Sequence, residues 1–154
     1  MIIEVGRIPP EGMAFVGEEP PVVLDIQDEG NMRIDGPVRY DLKAYVASKE
    51  LIVNGTLTVD MSFRCSKCGE FFSLHVIDSS FQCARELSDM NESVDLTADI
   101  RESMILAFPA YPVCRLDCRG LCPLCGANLN EDECKCKPSE DFRWNVLNNL
   151  NSRP

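Results

Sequence analysis

The stretch Leu51-Ile52-Val53-Asn54-Gly55-Thr56-Leu57-Thr58-Val59-Asp60-Met61-Ser62-Phe63-Arg64-Cys65-Ser66-Lys67-Cys68-Gly69 decides the fold. Leu51, Val53, Leu57, Val59, Met61 and Phe63 share the odd positions, with Thr56, Thr58, Asp60 and Ser62 between them, which is the period-two pattern of a half-buried strand. Asn54-Gly55 suggests a two-residue hairpin turn, but such a turn would set Val53 opposite Thr56 and rotate threonines onto the apolar face. Parity is unbroken, so the expectation is one long strand with Gly55 at a bulge or a close contact. The strand runs into Cys65-Ser-Lys-Cys68-Gly69, the spacing and trailing glycine of a tight backbone knuckle that presents two thiolates to a tetrahedral metal.

Upstream, Val38 to Val46 alternates strictly and reads as a partner strand, which places the hairpin turn at Ala47 to Glu50. Downstream, Phe72, Leu74 and Val76 alternate with Ser73 and His75 in a strand that returns from the knuckle, so the knuckle is the tip of a hairpin. Ile2 to Ile8 and Val22 to Ile26 are further strand candidates, set apart by Pro9-Pro10 and Pro20-Pro21. Leu96 to Phe108 reads as a helix: Asp95 suits the N-cap, Asp99 the first turn, Ile100, Met104, Ala107 and Phe108 form a stripe, and Pro109 stops it. The Cys-rich segment Cys114 to Cys136 follows. Pro138-Ser139-Glu140-Asp141 then opens a short helix in which Phe142, Val146, Leu147 and Leu150 face one way.

The expected class is α+β: mainly antiparallel β-sheet with one central helix, a Cys-rich zinc-bound segment and a short C-terminal helix. Residues 1–113 would form the β-rich region with helix 96–108. Residues 114–154 would form the Cys-rich segment and its helix, packed with the first as one domain.

A chain of 154 residues with 45% hydrophobic content can bury a core of ordinary size. Its longest apolar run, Met104 to Cys114, is broken by Pro109 and Pro112 and falls short of the roughly 20 residues of a membrane-spanning helix. Met1-Ile-Ile-Glu4-Val-Gly-Arg7 sets an acid and a base inside the apolar stretch, which draws neither a secretory nor a transit pattern. A cytoplasmic location is expected, and there clustered cysteines serve as metal ligands more often than as disulfides.

Nine cysteines are present, and eight fall into four close pairs: Cys65/Cys68, Cys114/Cys118, Cys122/Cys125 and Cys134/Cys136. Cys122-Pro-Leu-Cys125-Gly126 repeats the knuckle pattern. Ordering a residue costs roughly 1 to 2 kcal/mol of backbone entropy, and the four leucines between Cys114 and Cys136 cannot offset that over the whole segment. One or two structural Zn2+ ions, together with backbone hydrogen bonds and docking onto the sheet, can. The four pairs join into two tetrads in three ways. The shorter loop favours Cys122/Cys125 with Cys134/Cys136, leaving Cys65/Cys68 with Cys114/Cys118. Cys134-Lys-Cys136 must turn sharply, because a one-residue spacer in an extended strand sends its sulfurs to opposite faces. Lys135 and Lys137 flank this pair and offset the charge of a four-thiolate site.

A redox dithiol would need a reactive cysteine at a helix start, and neither knuckle offers one. Cys83, beside Phe81 and Ala84, reads as a core residue, and His75 lies on the polar face of its strand as a surface residue. No catalytic constellation is visible. A site filled by four cysteines leaves no open position for water or substrate, so the zinc is expected to be structural. Net charge is −10; four thiolates and one dication sum to −2, so two filled sites would bring the chain to −14. Such acidity gains little from contact with phosphate and suits a basic protein partner.

The string Cys114-Arg-Leu-Asp-Cys118-Arg-Gly-Leu-Cys122-Pro-Leu-Cys125-Gly-Ala-Asn128-Leu-Asn130, followed by Cys134-Lys-Cys136, closely resembles the signature of the YceD-like family, the large ribosomal RNA subunit accumulation proteins. So do Cys65-Ser-Lys-Cys68-Gly-Glu-Phe71, the helix ending Leu106-Ala-Phe-Pro109 with Pro112 after it, and Asp141-Phe-Arg143-Trp144 ahead of Leu147. The resemblance runs from about Val38 to Leu147. It implies a small cytoplasmic protein without enzymatic activity, needed for large-subunit (23S) rRNA to accumulate, with zinc held by the cysteines named above. A ribosomal protein or the pre-ribosomal large subunit is then the expected partner. Arg115, Arg119, Lys135 and Lys137 offer contacts to that partner or to rRNA phosphate. Neither a membrane nor a small-molecule substrate is implied. Two other classes stay open: a zinc-ribbon adaptor in transcription or translation, which would share these knuckles, and a redox or zinc-storage protein, whose thiols would alkylate readily.

Overall fold

The computed structural model describes residues 1–26 and 30–136. Its centre is the long hairpin read from the sequence. Strand β4 (Val38–Ala47) turns at Ser48 and Lys49, both with positive φ, into β5 (Glu50–Arg64). The return strand β6 (Phe71–Glu86) pairs with β5 along its whole length. Two strands earlier in the chain, β2 (Met13–Glu19) and β3 (Met32–Ile34), complete an antiparallel five-stranded sheet. β2 pairs with the outer edge of β4, and β3 continues along the β5 edge where β4 has ended, with Ile34 opposite Met61. A second, small sheet joins β1 (Ile2–Glu4) to β7 (Ser93–Asp95).

Helix α1 (Thr97–Ala107) lies against β6, β5 and the 3-10 turn Pro21–Leu24. The odd-numbered side chains of β5 meet Ile100 and Met104 of α1, together with Ile3, Leu24 and Leu96, in one buried core. Burial of each such side chain stabilises the fold by about 1.5 to 3 kcal/mol. Cys83 belongs to this core, as expected, and burial together with the nearby Asp99 carboxylate pushes its thiol pKa up. The class is α+β, mostly antiparallel sheet, with one α-helix among the described residues.

Gly55 explains why the strand is continuous. Its φ is +152°, and a Cβ there would sit 2.1 Å from the Asp41 carbonyl oxygen of β4. The β5–β6 register shifts beside it: Gly55 faces Phe81 but Leu57 faces Asp78, so Ser79 and Ser80 oppose the single residue Thr56. This bulge inverts the parity of β6. Val76 and Asp78 point inward before it, and Phe81 and Cys83 after it.

Several expectations are corrected. The third strand extends ten residues beyond Val76, to Glu86, because the bulge hides its continuation from a period-two reading. Val22 to Ile26 is not a strand: Pro21 opens a 3-10 turn over Pro21–Leu24, and Asp25 is left-handed. Only Ile2–Glu4 of the first candidate forms a strand, and Val5–Arg7 form another 3-10 turn. The edge strand Met13–Glu19 was not anticipated, since its side chains are exposed or half-buried. The helix begins one residue late, with Leu96 at the cap position, while the Asp95 carboxylate accepts the Thr97 N–H at 2.9 Å. The short C-terminal helix lies outside the described residues, as does Lys137.

Asp78 is the buried acid that alternation conceals. Burial opposes its ionisation, but hydrogen bonds from the Ser103 hydroxyl of α1 and from the Ser80 hydroxyl and N–H outweigh it and hold its pKa below the usual carboxylate range.

Replacing Gly55 by alanine should destabilise the protein by at least about 2 kcal/mol, because the added methyl cannot coexist with the Asp41 carbonyl and the φ is strained for any L side chain. Urea unfolding checks this; a midpoint within error of the parent protein would show that the strand does not need the close approach.

Candidate metal centre

The free end of the β5–β6 hairpin carries the first knuckle. Cys65 N–H donates to the Glu70 carbonyl at 2.8 Å, and Gly69 N–H to the Cys65 carbonyl at 2.9 Å. The second knuckle repeats both bonds five and four residues apart: Cys122 N–H to the Ala127 carbonyl at 2.8 Å, and Gly126 N–H to the Cys122 carbonyl at 2.9 Å. Gly69 and Gly126 take φ of +78° and +75°, the left-handed turn that makes glycine the fitting residue there.

Two clusters of four cysteines result, each with all its sulfurs within 4.8 Å of one another: Cys65, Cys68, Cys114 and Cys118 in one, Cys122, Cys125, Cys134 and Cys136 in the other. Of the three pairings open from sequence, the structure assembles the one that the shorter loop favoured. In the first cluster the Cys65–Cys118 and Cys68–Cys114 sulfurs stand 3.9 and 3.8 Å apart. Four sulfurs at about 2.3 Å from a central zinc would define a tetrahedron with edges of about 3.8 Å. The donor set and its spacing therefore fit a tetrahedral thiophilic dication, and all nine cysteines are free thiols.

The electrostatics also call for a cation. Burial resists ionisation of Cys65, but the N–H groups of Cys114, Cys68 and Lys67 bring its pKa down to about 6. Cys114, in the same cluster, is pushed up to about 12 by burial and by the Cys65 and Cys118 sulfurs. The second cluster repeats the division. The N–H groups of Cys125 and Leu124 bring Cys122 down to about 6, while the Cys125 sulfur and burial push Cys136 up to about 12. Packed sulfurs thus compete for negative charge, and a dication at their centre would let all four ionise.

Backbone bonds dock the Cys-rich segment onto the hairpin tip. Ser66 N–H donates to the Pro112 carbonyl at 2.8 Å, and Leu121 N–H to the Lys67 carbonyl at 3.0 Å. Phe72 packs against both the main core and the first cysteine cluster. Beyond that contact the segment buries little apolar surface: Leu116, Leu121 and Leu124 are exposed, Leu116 completely. Cys134 and Cys136 both reach the second cluster, with the Cys136 N–H directed at the Cys134 sulfur and the intervening Lys135 exposed.

Arg115 and Arg119 are exposed as well, although the Arg115 guanidinium donates to Asn130 Oδ1 at 2.9 Å and pairs with Asp117 at 3.5 Å. His75 is on the surface, its Nδ1 2.7 Å from Asp60 Oδ1, and Arg39 binds the other oxygen of the same carboxylate at 2.9 Å. Sequence reasoning missed Asn130. It donates to the Cys118 sulfur at 3.4 Å, and its one visible signal was the Asn128-Leu-Asn130 repeat between ligand pairs.

A family model described as large ribosomal RNA subunit accumulation protein YceD matches residues 84–151. That span holds six of the eight clustered cysteines and leaves Cys65 and Cys68 outside. An uncharacterized protein of Mycobacterium tuberculosis is 30% identical over 123 residues, covering 70% of this chain and 58% of that protein. The Arabidopsis thaliana protein named large ribosomal RNA subunit accumulation protein YCED homolog 1, chloroplastic, is 25% identical over 155 residues, covering 74% of this chain and 48% of that protein. A Zea mays protein of the same name is 41% identical over 49 residues, 31% of this chain and 17% of that protein. The chain spans about half the length of the Mycobacterium and Arabidopsis relatives. No solved structure matches it.

The pairing makes a direct prediction. Cys65→Ser and Cys118→Ser should each release one bound dication per chain and leave the other in place, whereas Cys65→Ser combined with Cys125→Ser should release both. Native mass spectrometry reads the stoichiometry; loss of both ions from Cys118→Ser alone would argue for a shared cluster.

Proposed function

Because the chain belongs to the YceD-like family, we propose that it is a non-enzymatic zinc-binding protein that supports accumulation of large-subunit (23S) rRNA during ribosome assembly. Two cysteine clusters at tetrahedral spacing support the zinc, and the family match supports the rRNA role. Four protein sulfurs fill a zinc coordination sphere, which leaves no position for a water or substrate and makes each ion a structural one. Residues 1–113 and 114–154 then act as one domain, joined at the hairpin tip.

Exposed leucines on the cysteine loops carry the choice of partner. Leu116, Leu121 and Leu124 sit on backbone that the sulfurs hold in place, and they face solvent in a chain of net charge −10. Apolar side chains fixed on an acidic body fit a basic ribosomal protein on the pre-ribosomal large subunit better than naked rRNA. Arg115, Arg119, Lys135 and Lys137 supply local positive charge for a phosphate at the edge of that contact. Among the described residues no helix is long and apolar enough to cross a membrane. A cytoplasmic protein is consistent with that.

Depleting the protein should lower large-subunit rRNA relative to small-subunit rRNA, measured on total RNA. Re-expression should restore it, and Leu116→Glu with Leu124→Glu should fail to restore it while still binding two metal ions. An unchanged rRNA ratio on depletion would overturn the role, and full rescue by the double leucine variant would overturn the docking surface.

A further inference from the structure

We infer that Asn130 is a positioning residue that couples the two metal sites, so that filling the second tetrad strengthens metal binding in the first. The inference rests on the zinc reading above and adds a dependence between the ions. Asn130 lies between Cys125 and Cys134, in the loop that the second tetrad closes, yet its side chain serves the first tetrad. Its Nδ2 donates to the Cys118 sulfur at 3.4 Å, and its Oδ1 accepts the Arg119 N–H at 2.9 Å, one residue beyond that ligand. Oδ1 also accepts from the Arg115 guanidinium at 2.9 Å, one residue after Cys114. One amide thus holds the Cys118 sulfur and the backbone just after it, and reaches the side chain that follows Cys114.

The amide is itself aimed by the loop. Asn128 Oδ1 accepts the Asn130 N–H at 3.1 Å and its Nδ2 at 2.8 Å, while Glu131 and Asp132 donate their N–H groups to the Asn128 carbonyl at 3.1 and 3.0 Å. No side chain from Gly126 to Glu133 is buried, although residues 127–130 are half-buried. The Leu129 N–H donates to the Gly120 carbonyl at 2.9 Å and Leu121 bridges Asn128, so the turn is located by the segment that leads into Cys122 and by its ends, Cys125 and Cys134, and the second ion would pin all three cysteines. With that ion absent the loop is free to lose its shape, and the donor to Cys118 goes with it. A hydrogen bond to a metal-bound sulfur orients the ligand and draws off part of its charge, and losing such a partner typically weakens metal binding by about 10- to 100-fold.

The test uses the full chain loaded with two zinc ions and titrated with a competing chelator, with freed cysteines alkylated and mapped by mass spectrometry so that each site is read separately. Asn130→Ala should bind two ions but release the first-tetrad ion at about 10- to 100-fold lower chelator concentration. Asn130→Asp keeps the oxygen acceptors and loses the donor to sulfur, and it should show the same loss. Cys134→Ser with Cys136→Ser, which removes the second site, should weaken the first by a similar factor, and adding Asn130→Ala to that background should change it by less than about 3-fold.

Parent-like release from Asn130→Ala or from Asn130→Asp overturns the inference. So does an undiminished effect of Asn130→Ala on the background lacking the second site, because the amide would then act without the coupling. A parent protein that takes up no zinc overturns the zinc reading and this inference together, whereas two ions released independently overturn this inference alone.

Discussion

Four sulfurs, from Cys65, Cys68, Cys114 and Cys118, meet where the tip of a long β-hairpin faces the chain that leaves α1, and a dication among them would fix the described cysteine segment, residues 114–136, to the hairpin. The main sheet does not need it. The sheet has its own core of buried aliphatic side chains from β4, β5, β6 and α1, with Gly55 and the bulge opposite it shaping the strands so that they wrap that core. The cysteine segment has almost nothing of the kind. Three of its four leucines face solvent, and its neighbours are backbone carbonyls, asparagine amides and sulfur. Hydrophobic burial therefore accounts for one part of the molecule and thiolate chemistry for the other.

The division makes sense of the electrostatics. Without a cation, each sulfur cluster is in conflict: N–H groups at the knuckles favour thiolate at Cys65 and Cys122, while burial with the Cys65 and Cys118 sulfurs pushes Cys114, and the Cys125 sulfur with burial pushes Cys136, towards the neutral thiol. A dication would resolve the conflict and convert a repulsive group of anions into a cross-link between distant parts of the chain. An acidic protein would then carry leucine-bearing loops held in place by sulfur, which is the surface on which the proposed docking to a basic partner rests.

Much of this was legible in the sequence because two strong rules applied. Period-two alternation from Leu51 to Phe63 was clean enough to override the Asn54-Gly55 turn signal, and the close approach of Asp41 to Gly55 is the physical reason. Cysteine spacing with a trailing glycine located both knuckles, and loop closure favoured the pairing of tetrads that the structure assembles. What escaped were features whose signal is not periodic. The bulge at Ser79 and Ser80 inverted the inward positions of β6, so Phe81 and Cys83 could not be phased from Phe72 and Leu74. The edge strand Met13–Glu19 is half solvated and carries little apolar pattern, while proline chemistry set a 3-10 turn over Pro21–Leu24 where Val22 to Ile26 read as a strand. Asn130 was out of reach because its role lies in a contact across the gap between two clusters that a linear reading treats separately.

Amide hydrogen exchange across the metal-loaded chain, with and without chelator, tests the central claim most directly. With metal retained, amides such as Cys65, Leu121, Cys122, Gly126 and Leu129, which donate to backbone carbonyls, should be protected together with the sheet. With metal stripped, protection should vanish from residue 114 to residue 136 and persist in β4, β5 and α1. A chain that contains no metal as isolated, or that keeps those cysteine-segment amides protected under chelator, would contradict the account.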